Sequence, residues 1–315
     1  MDIFSAILTI LGLVLFETIS SVDNAVINAE VLSKMSQRAR RWFLLWGLLI
    51  AVFALRLTLP LLIVWAANPS LGIIETFTAT FSSDEKVIQS IEDSSPILLA
   101  GGGVFLVFLF FHWLFLEPKT LGLSQEKFFL SQGVWFYTVV SIILAVVTWY
   151  ALAINPLMAF GAVVGSTAFF ITHGFKQNAE KQEEELLKAG SASSGLGDWS
   201  KILYLEVIDA TFSIDGVVGA FAFTLSIPLI VIGSGIGAFV VREITVHNIE
   251  TVKKHKLLKN GAMYSILALG VIMLLDAFGA HIPSYASPLI TFAILGYFVW
   301  RSLAAQKSGA APRAA

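Results

Sequence analysis

Cysteine is absent from all 315 residues. Disulfides, thiolate metal centres and iron–sulfur clusters are thereby excluded, and the redox compartment leaves no trace. Charge is scarce too: Asp, Glu, Lys and Arg supply 13% of the chain, about half the roughly 25% of soluble domains. Methionine, at 5 residues, is too sparse for a copper route, and none of the 5 histidines lies in the acidic motifs described below. There is no nucleotide-binding fingerprint. The pairs Gly161/Gly165 and Gly233/Gly237 lie in apolar runs without a strand–turn–helix around them, and they fit close helix packing. What remains is apolar, with 57% hydrophobic residues and a mean hydropathy of +0.81. Runs long enough to cross a bilayer core recur along nearly the whole chain. The first partner is therefore lipid, and nothing in the net charge of −2 calls for nucleic acid.

Nine spans are expected, at 3–30, 42–67, 97–116, 130–153, 157–174, 201–225, 228–249, 261–280 and 288–304. The first run follows Met1 and Asp2 with no basic start and no small-residue cleavage site, so it reads as a retained span. Basic residues follow the odd-numbered spans: Lys34, Arg38, Arg40 and Arg41; Lys119 and Lys127; Lys176, Lys181, Lys188 and Lys201; Lys253, Lys254, Lys256 and Lys259; Arg301, Lys307 and Arg313. With the N-terminus outside and the C-terminus inside, only Lys86 of the 20 Lys and Arg is exposed outside, and Arg56 and Arg242 fall within spans. That bias predicts an integral protein of a bacterial cytoplasmic membrane. The acidic segment Asn68–Pro96 reads as an outer loop. The domain reading is a first membrane half at 1–175, a cytoplasmic polar helix and Gly/Ser linker at 176–200, a second half at 201–306 and a disordered tail at 307–315.

Two stretches repeat. Phe16–Val26 (FETISSVDNAV) and Ile208–Val218 (IDATFSIDGVV) align at an offset of 192, since Glu17 meets Asp209 (209 − 17) and Asp23 meets Asp215 (215 − 23). Each copy puts two carboxylates inside a span, where a charge costs ~2.5–3.5 kcal/mol at the centre. Span one runs inward and span six outward, so the copies are antiparallel, as in an inverted-topology repeat with its ligand near mid-membrane. Acids six residues apart are turned by about 240° on an unbroken helix. Weak helix formers at Ser20, Ser21, Asp23, Asn24 and Gly216 therefore predict broken motif helices that let the acids converge.

The expected ligand set is all oxygen: Glu17, Asp23, Asn24, Glu206, Asp209 and Asp215, supported by Ser20, Ser21, Thr211 and Ser213. Such donors suit magnesium, calcium or manganese rather than zinc or copper(I). Arg56 is placed either to pair with a motif acid while the site is empty or to form a structural salt bridge; buried pairs of the acids with Arg56, Arg242 or backbone donors are the structural alternative. A proton relay is compatible with the same carboxylates. His112, Glu117 and His173 near the cytoplasmic ends read as solvated groups, with lining of an entry path as the alternative; Glu30 reads as solvated at the cytoplasmic mouth and Asp276 as an exit-side acid.

At these motifs the chain resembles the TerC family of integral membrane proteins, and within it the DUF475 branch. The resemblance rests on Glu17–Asn24 (ETISSVDN), on Glu206–Asp215 (EVIDATFSID) and on Met273-Leu-Leu with His281-Ile-Pro283. It departs from the family at Gly216, where a serine is usual, and at Ile272, where a lysine is frequent. The resemblance implies a metal-ion transporter, manganese efflux first, with the six acidic-motif residues at the family's acidic positions. A tellurite role fits poorly, because an acid-lined site repels an oxyanion.

The sequence thus predicts an all-α polytopic bundle of about nine spans in two inverted halves, exporting a hard divalent cation with Mn²⁺ first. Protons are a compatible counter-ion, no prosthetic group is expected, and a homo-oligomer is compatible. Neither a nucleophile–base pair nor an open metal triad is present, so an enzyme is not expected. The alternatives are a LysE-like exporter of small cationic organic solutes and a non-transport membrane assembly partner.

Overall fold

The computed structural model describes residues 3–21, 28–29, 31–33, 35–47, 50, 56–67, 72, 74, 85–118, 124–188, 198–244 and 257–307. Side chains at 56 and 208–212 are among those outside the description. Among the described residues there is no strand. Each helix satisfies its own backbone hydrogen bonds, as a span in lipid must.

The helices are α1 (Ile3–Ser20), α2 (Gln37–Trp42), α3 (Arg56–Ala67), α4 (Glu85–Leu116), α5 (Ser124–Ser131) and α6 (Phe136–Ile154). There follow α7 (Pro156–Lys188), α8 (Asp198–Ala220), α9 (Ile227–Glu243), α10 (Leu258–Ala277) and α11 (Ala286–Lys307). A π-helical segment, Phe43–Gly47, prolongs α2. Among the described residues 6 helices are long and apolar enough to cross a membrane: α1, α4 from Asp93, α6 with the turn before it, α7 to Asn178, α10, and α11 to Ala304. The chain is an integral membrane protein. The other three expected spans correspond to α3, α8 and α9. α8 is loaded with Glu206, Asp209 and Asp215, α9 is 17 residues long, and much of 42–67 lies outside the description.

α4 is the central post. Its apolar stretch is 78% buried, against 17% for α6 with the turn before it, whose Val134 in the turn and Trp149 in the helix face outward. α4 meets α7 through glycines, as the Gly161/Gly165 spacing predicts. A Cβ on Gly101 would stand 2.8 Å from the Gly161 carbonyl oxygen, and one on Gly165 would strike the Gly101 carbonyl. On its other side α4 packs antiparallel to α10, with Gly102 against Met273 and Leu106 against Gly270.

Two expectations about element ends are corrected. The third span, expected at 97–116, lies within the apolar part of α4, Asp93–Leu116, but the helix itself begins at Glu85, inside the segment that reads as an outer loop, and carries Pro96. The polar tract after span five was read as a separate helix, yet α7 continues through it to Lys188 without interruption. In α7 good helix formers (AEKQEEELLK) extend an existing helix, and in both cases extension spares the cost of a new nucleus.

The motif helices lie side by side. Gly12 faces Phe223, Phe16 faces Gly219 and Glu17 faces Gly216, a register that falls as it rises and so makes α1 and α8 antiparallel. α1 packs on α9 with Leu13 on Gly233 and Glu17 on Gly237, and α8 packs on α3. Each motif helix thus contacts a helix of the span that follows the other one.

The broken-helix expectation fails for the second copy. α8 is continuous through Glu206–Asp215 and past Gly216 to Ala220. One glycine costs about 1 kcal/mol in a helix, less than freeing backbone groups where no water replaces their bonds. In the first copy α1 ends at Ser20, inside the motif, and residues 22–27 lie outside the description.

Candidate functional site

Glu17 is the most deeply buried of the described motif acids, 2% exposed. Its Oε1 accepts a hydrogen bond from Ser21 Oγ at 3.0 Å. Its Oε2 lies on the α8 backbone, where a Cβ on Gly216 would come within 2.8 Å. The missing side chain at 216 is what lets this carboxylate rest against the second motif. Ser20 Oγ donates to the Glu17 carbonyl at 3.3 Å.

Asp215, beside Gly216, has its Oδ2 3.5 Å from Lys176 Nζ, with side chains only 14% and 19% exposed. Asp215, Lys176 and Ser20 line a cavity of about 50 Å³ with Glu117, Lys259 and the apolar Leu109 and Met263. The structure therefore places Ser20 and Asp215 on one cavity, and Glu17, bonded to Ser21, against the α8 backbone one residue along from Asp215, with Ser213 buried on the same helix.

It does not bring in Glu206. On a continuous helix Glu206 sits nine residues from Asp215, about 13 Å along the axis, and its Oε1 abuts Gly47 at the end of the π-helical segment. Asp209 and Thr211 have backbone in α8, but their side chains lie outside the description, as does that of Arg56. Asp23, Asn24 and Glu30 lie outside the described residues altogether. Among the described residues no group of three His, Asp or Glu side chains is arranged to hold a metal ion.

The rest of this site carries little signal in the sequence. Lys176 and Lys259 served only as topology markers, and His112, Glu117 and His173 as solvated ends. Lys259 Nζ instead pairs with Glu117 Oε2 at 2.9 Å. His112 is 5% exposed, so its expected solvation is corrected; its Nδ1 lies 3.8 Å from Glu117 Oε1. Its ring lies against His173 with centroids 3.7 Å apart. One signal was available, since His173 and Lys176 at i, i+3 share a helix face. Burial alone would raise the Glu117 carboxyl, but the His112 imidazole beside it, the Lys259 ammonium bonded to it and the charge of Lys176 outweigh burial and hold it well below the carboxylate range.

The structural alternative named Arg56 and Arg242 as partners of the acids. Asp215 pairs with a lysine instead, and Arg242 lies 4.0 Å from Glu243. Near the same end, buried Glu126 of α5 accepts from Asn260 Nδ2 at 2.8 Å and Tyr264 Oη at 3.1 Å, latching α5 to α10.

At the opposite end Phe223, Pro96, Asp276 and His281 line a second cavity of about 600 Å³. Asp276, expected as an exit-side acid, accepts the Ile282 N–H at 2.6 Å and so closes the loop after α10. Between this cavity and Glu17 stand the buried rings of Phe16 and Phe223, centroids 5.7 Å apart.

Neither the curated proteins nor the solved structures contain a match to this chain. A family model does match, over residues 22–308, and its description is a protein of unknown function, DUF475. The match takes in the end of the first motif, from Val22, and all of the second, and it spans most of the chain, so the chain belongs to the DUF475 family.

Proposed function

We propose that this protein exports a hard divalent cation, Mn²⁺ first, through a carboxylate site between α1 and α8. The observation that carries the reading is the meeting of two motif copies. Glu17 from the first lies on Gly216 of the second, next to Asp215, inside an apolar bundle. Buried intramembrane carboxylates mark ion and substrate pathways. Their oxygen chemistry favours Mg²⁺, Ca²⁺ or Mn²⁺, and the resemblance to the TerC family favours manganese. The antiparallel α1 and α8, each contacting a helix of the other's following span, support two inverted halves that rock about the site. The bias of basic residues supports a cytoplasmic C-terminus in a bacterial cytoplasmic membrane.

One observation favours a second reading. The Lys176 ammonium at Asp215 is itself an alkylammonium in the site, which is what a LysE-like exporter of cationic organic solutes would bind. Metal content and growth of cells expressing wild type, D23N or D215N, challenged separately with Mn²⁺ and with a toxic lysine analogue, decide between the two. The metal reading expects wild type alone to lower cell manganese and protect against it. Equal manganese protection by both variants contradicts it, and protection against the analogue alone selects the second reading.

A further inference from the structure

We propose that Lys176 is a tethered cation that occupies the cargo's place at Asp215 and is displaced when the cargo binds. The inference rests on the transport reading above and names the group with which the ion competes.

α7 continues for three turns beyond Lys176, to Lys188. A lysine near the end of a span ordinarily extends its stem toward water. Lys176 turns inward instead, 19% exposed, and sets its Nζ 3.5 Å from Asp215 Oδ2. The cavity around the pair, about 50 Å³, admits a few waters but not a fully hydrated divalent ion beside the ammonium. The first cost such an ion meets at Asp215 is thus the charge already there.

The displaced ammonium has a second acceptor. Glu117 lines the same cavity and already feels the charge of Lys176, while Lys259 holds its Oε2 at 2.9 Å. Two lysines and two carboxylates make a neutral quartet when the ion is absent. An arriving divalent ion takes Asp215, with Glu17 one residue across on the Gly216 backbone. Lys176 then moves toward Glu117, and its return drives the ion off. A fixed structural ion pair requires none of this, and the two cases differ in what removal of Lys176 does to affinity.

The test is equilibrium Mn²⁺ binding to the purified full chain in detergent, with free Mn²⁺ read by electron paramagnetic resonance. Wild type should bind and D215N should not. K176Q should bind at least about tenfold tighter than wild type, and K176R, which keeps the cation, should stay near wild type. In the wild type itself, saturating Mn²⁺ should raise labelling of Lys176 by a small amine reagent, read by peptide mass spectrometry; this arm holds if K176Q fails to fold. If D215N loses binding but K176Q binds no tighter, or Mn²⁺ leaves Lys176 labelling unchanged, the tethered-cation role is wrong and the metal site stands. If D215N binds Mn²⁺ as wild type does, the metal reading falls and this inference with it.

Discussion

Glu117 sits just past the end of α4 and holds two roles, anchoring Lys259 and facing Lys176. Its carboxyl is held below the ordinary range, so its linkage to stability has a definite sign. An unfolded glutamate titrates near about 4.3. A group whose folded value is lower contributes stability that is fully present above the unfolded value and is lost as pH falls through the folded one. Thermal melts of wild type and E117Q should therefore differ by a constant amount from about pH 8 to about pH 5.5, and converge only in stronger acid. A gap that already closes between about pH 8 and pH 6 would mean that burial, not the His112 and Lys259 contacts, controls this carboxyl.

At the level of elements, the α4–α7 seam offers the sharpest steric test. A methyl group on Gly165 meets the backbone of Gly101, which cannot rotate aside. Gly165→Ala should cost about 1–3 kcal/mol, measured by denaturation followed through tryptophan fluorescence. Gly174, on the same helix with open space around its Cα, is the control. Gly174→Ala should be neutral or slightly stabilising, and equal losses from both would contradict the seam. This contact was legible beforehand, because small residues four apart in an apolar run have few other uses. The course of the second motif was not. Gly216 reads as a breaker, but its lack of a side chain serves the approach of Glu17, and α8 stays whole. Continuity then separates Glu206 from Asp215, which spacing alone could not reveal. Lys176 was hidden for a related reason: a lysine at the end of a span predicts orientation, and only packing decides whether it turns toward water or toward an acid.

Over the whole molecule, composition settled the all-α membrane bundle, because apolar runs of span length admit few other outcomes. The antiparallel placing of the two motif helices followed from the alternation of spans, and the contacts of Phe16, Glu17 and Gly12 agree with it. Both ends of the route are closed in this arrangement. Phe16 and Phe223 stand between Glu17 and the larger cavity, and the Lys176–Asp215 and Lys259–Glu117 pairs close the other end. The proposed export requires each closure to open in turn, with carboxylates of both motifs proposed to hold the ion between them. Reconstitution into liposomes addresses this directly, by following Mn²⁺ flux with an entrapped metal-sensitive dye for wild type and E17Q at matched protein density. Saturable flux in wild type, reduced at least about tenfold in E17Q, is the predicted result; flux that is absent from wild type, or equal in E17Q, would contradict it.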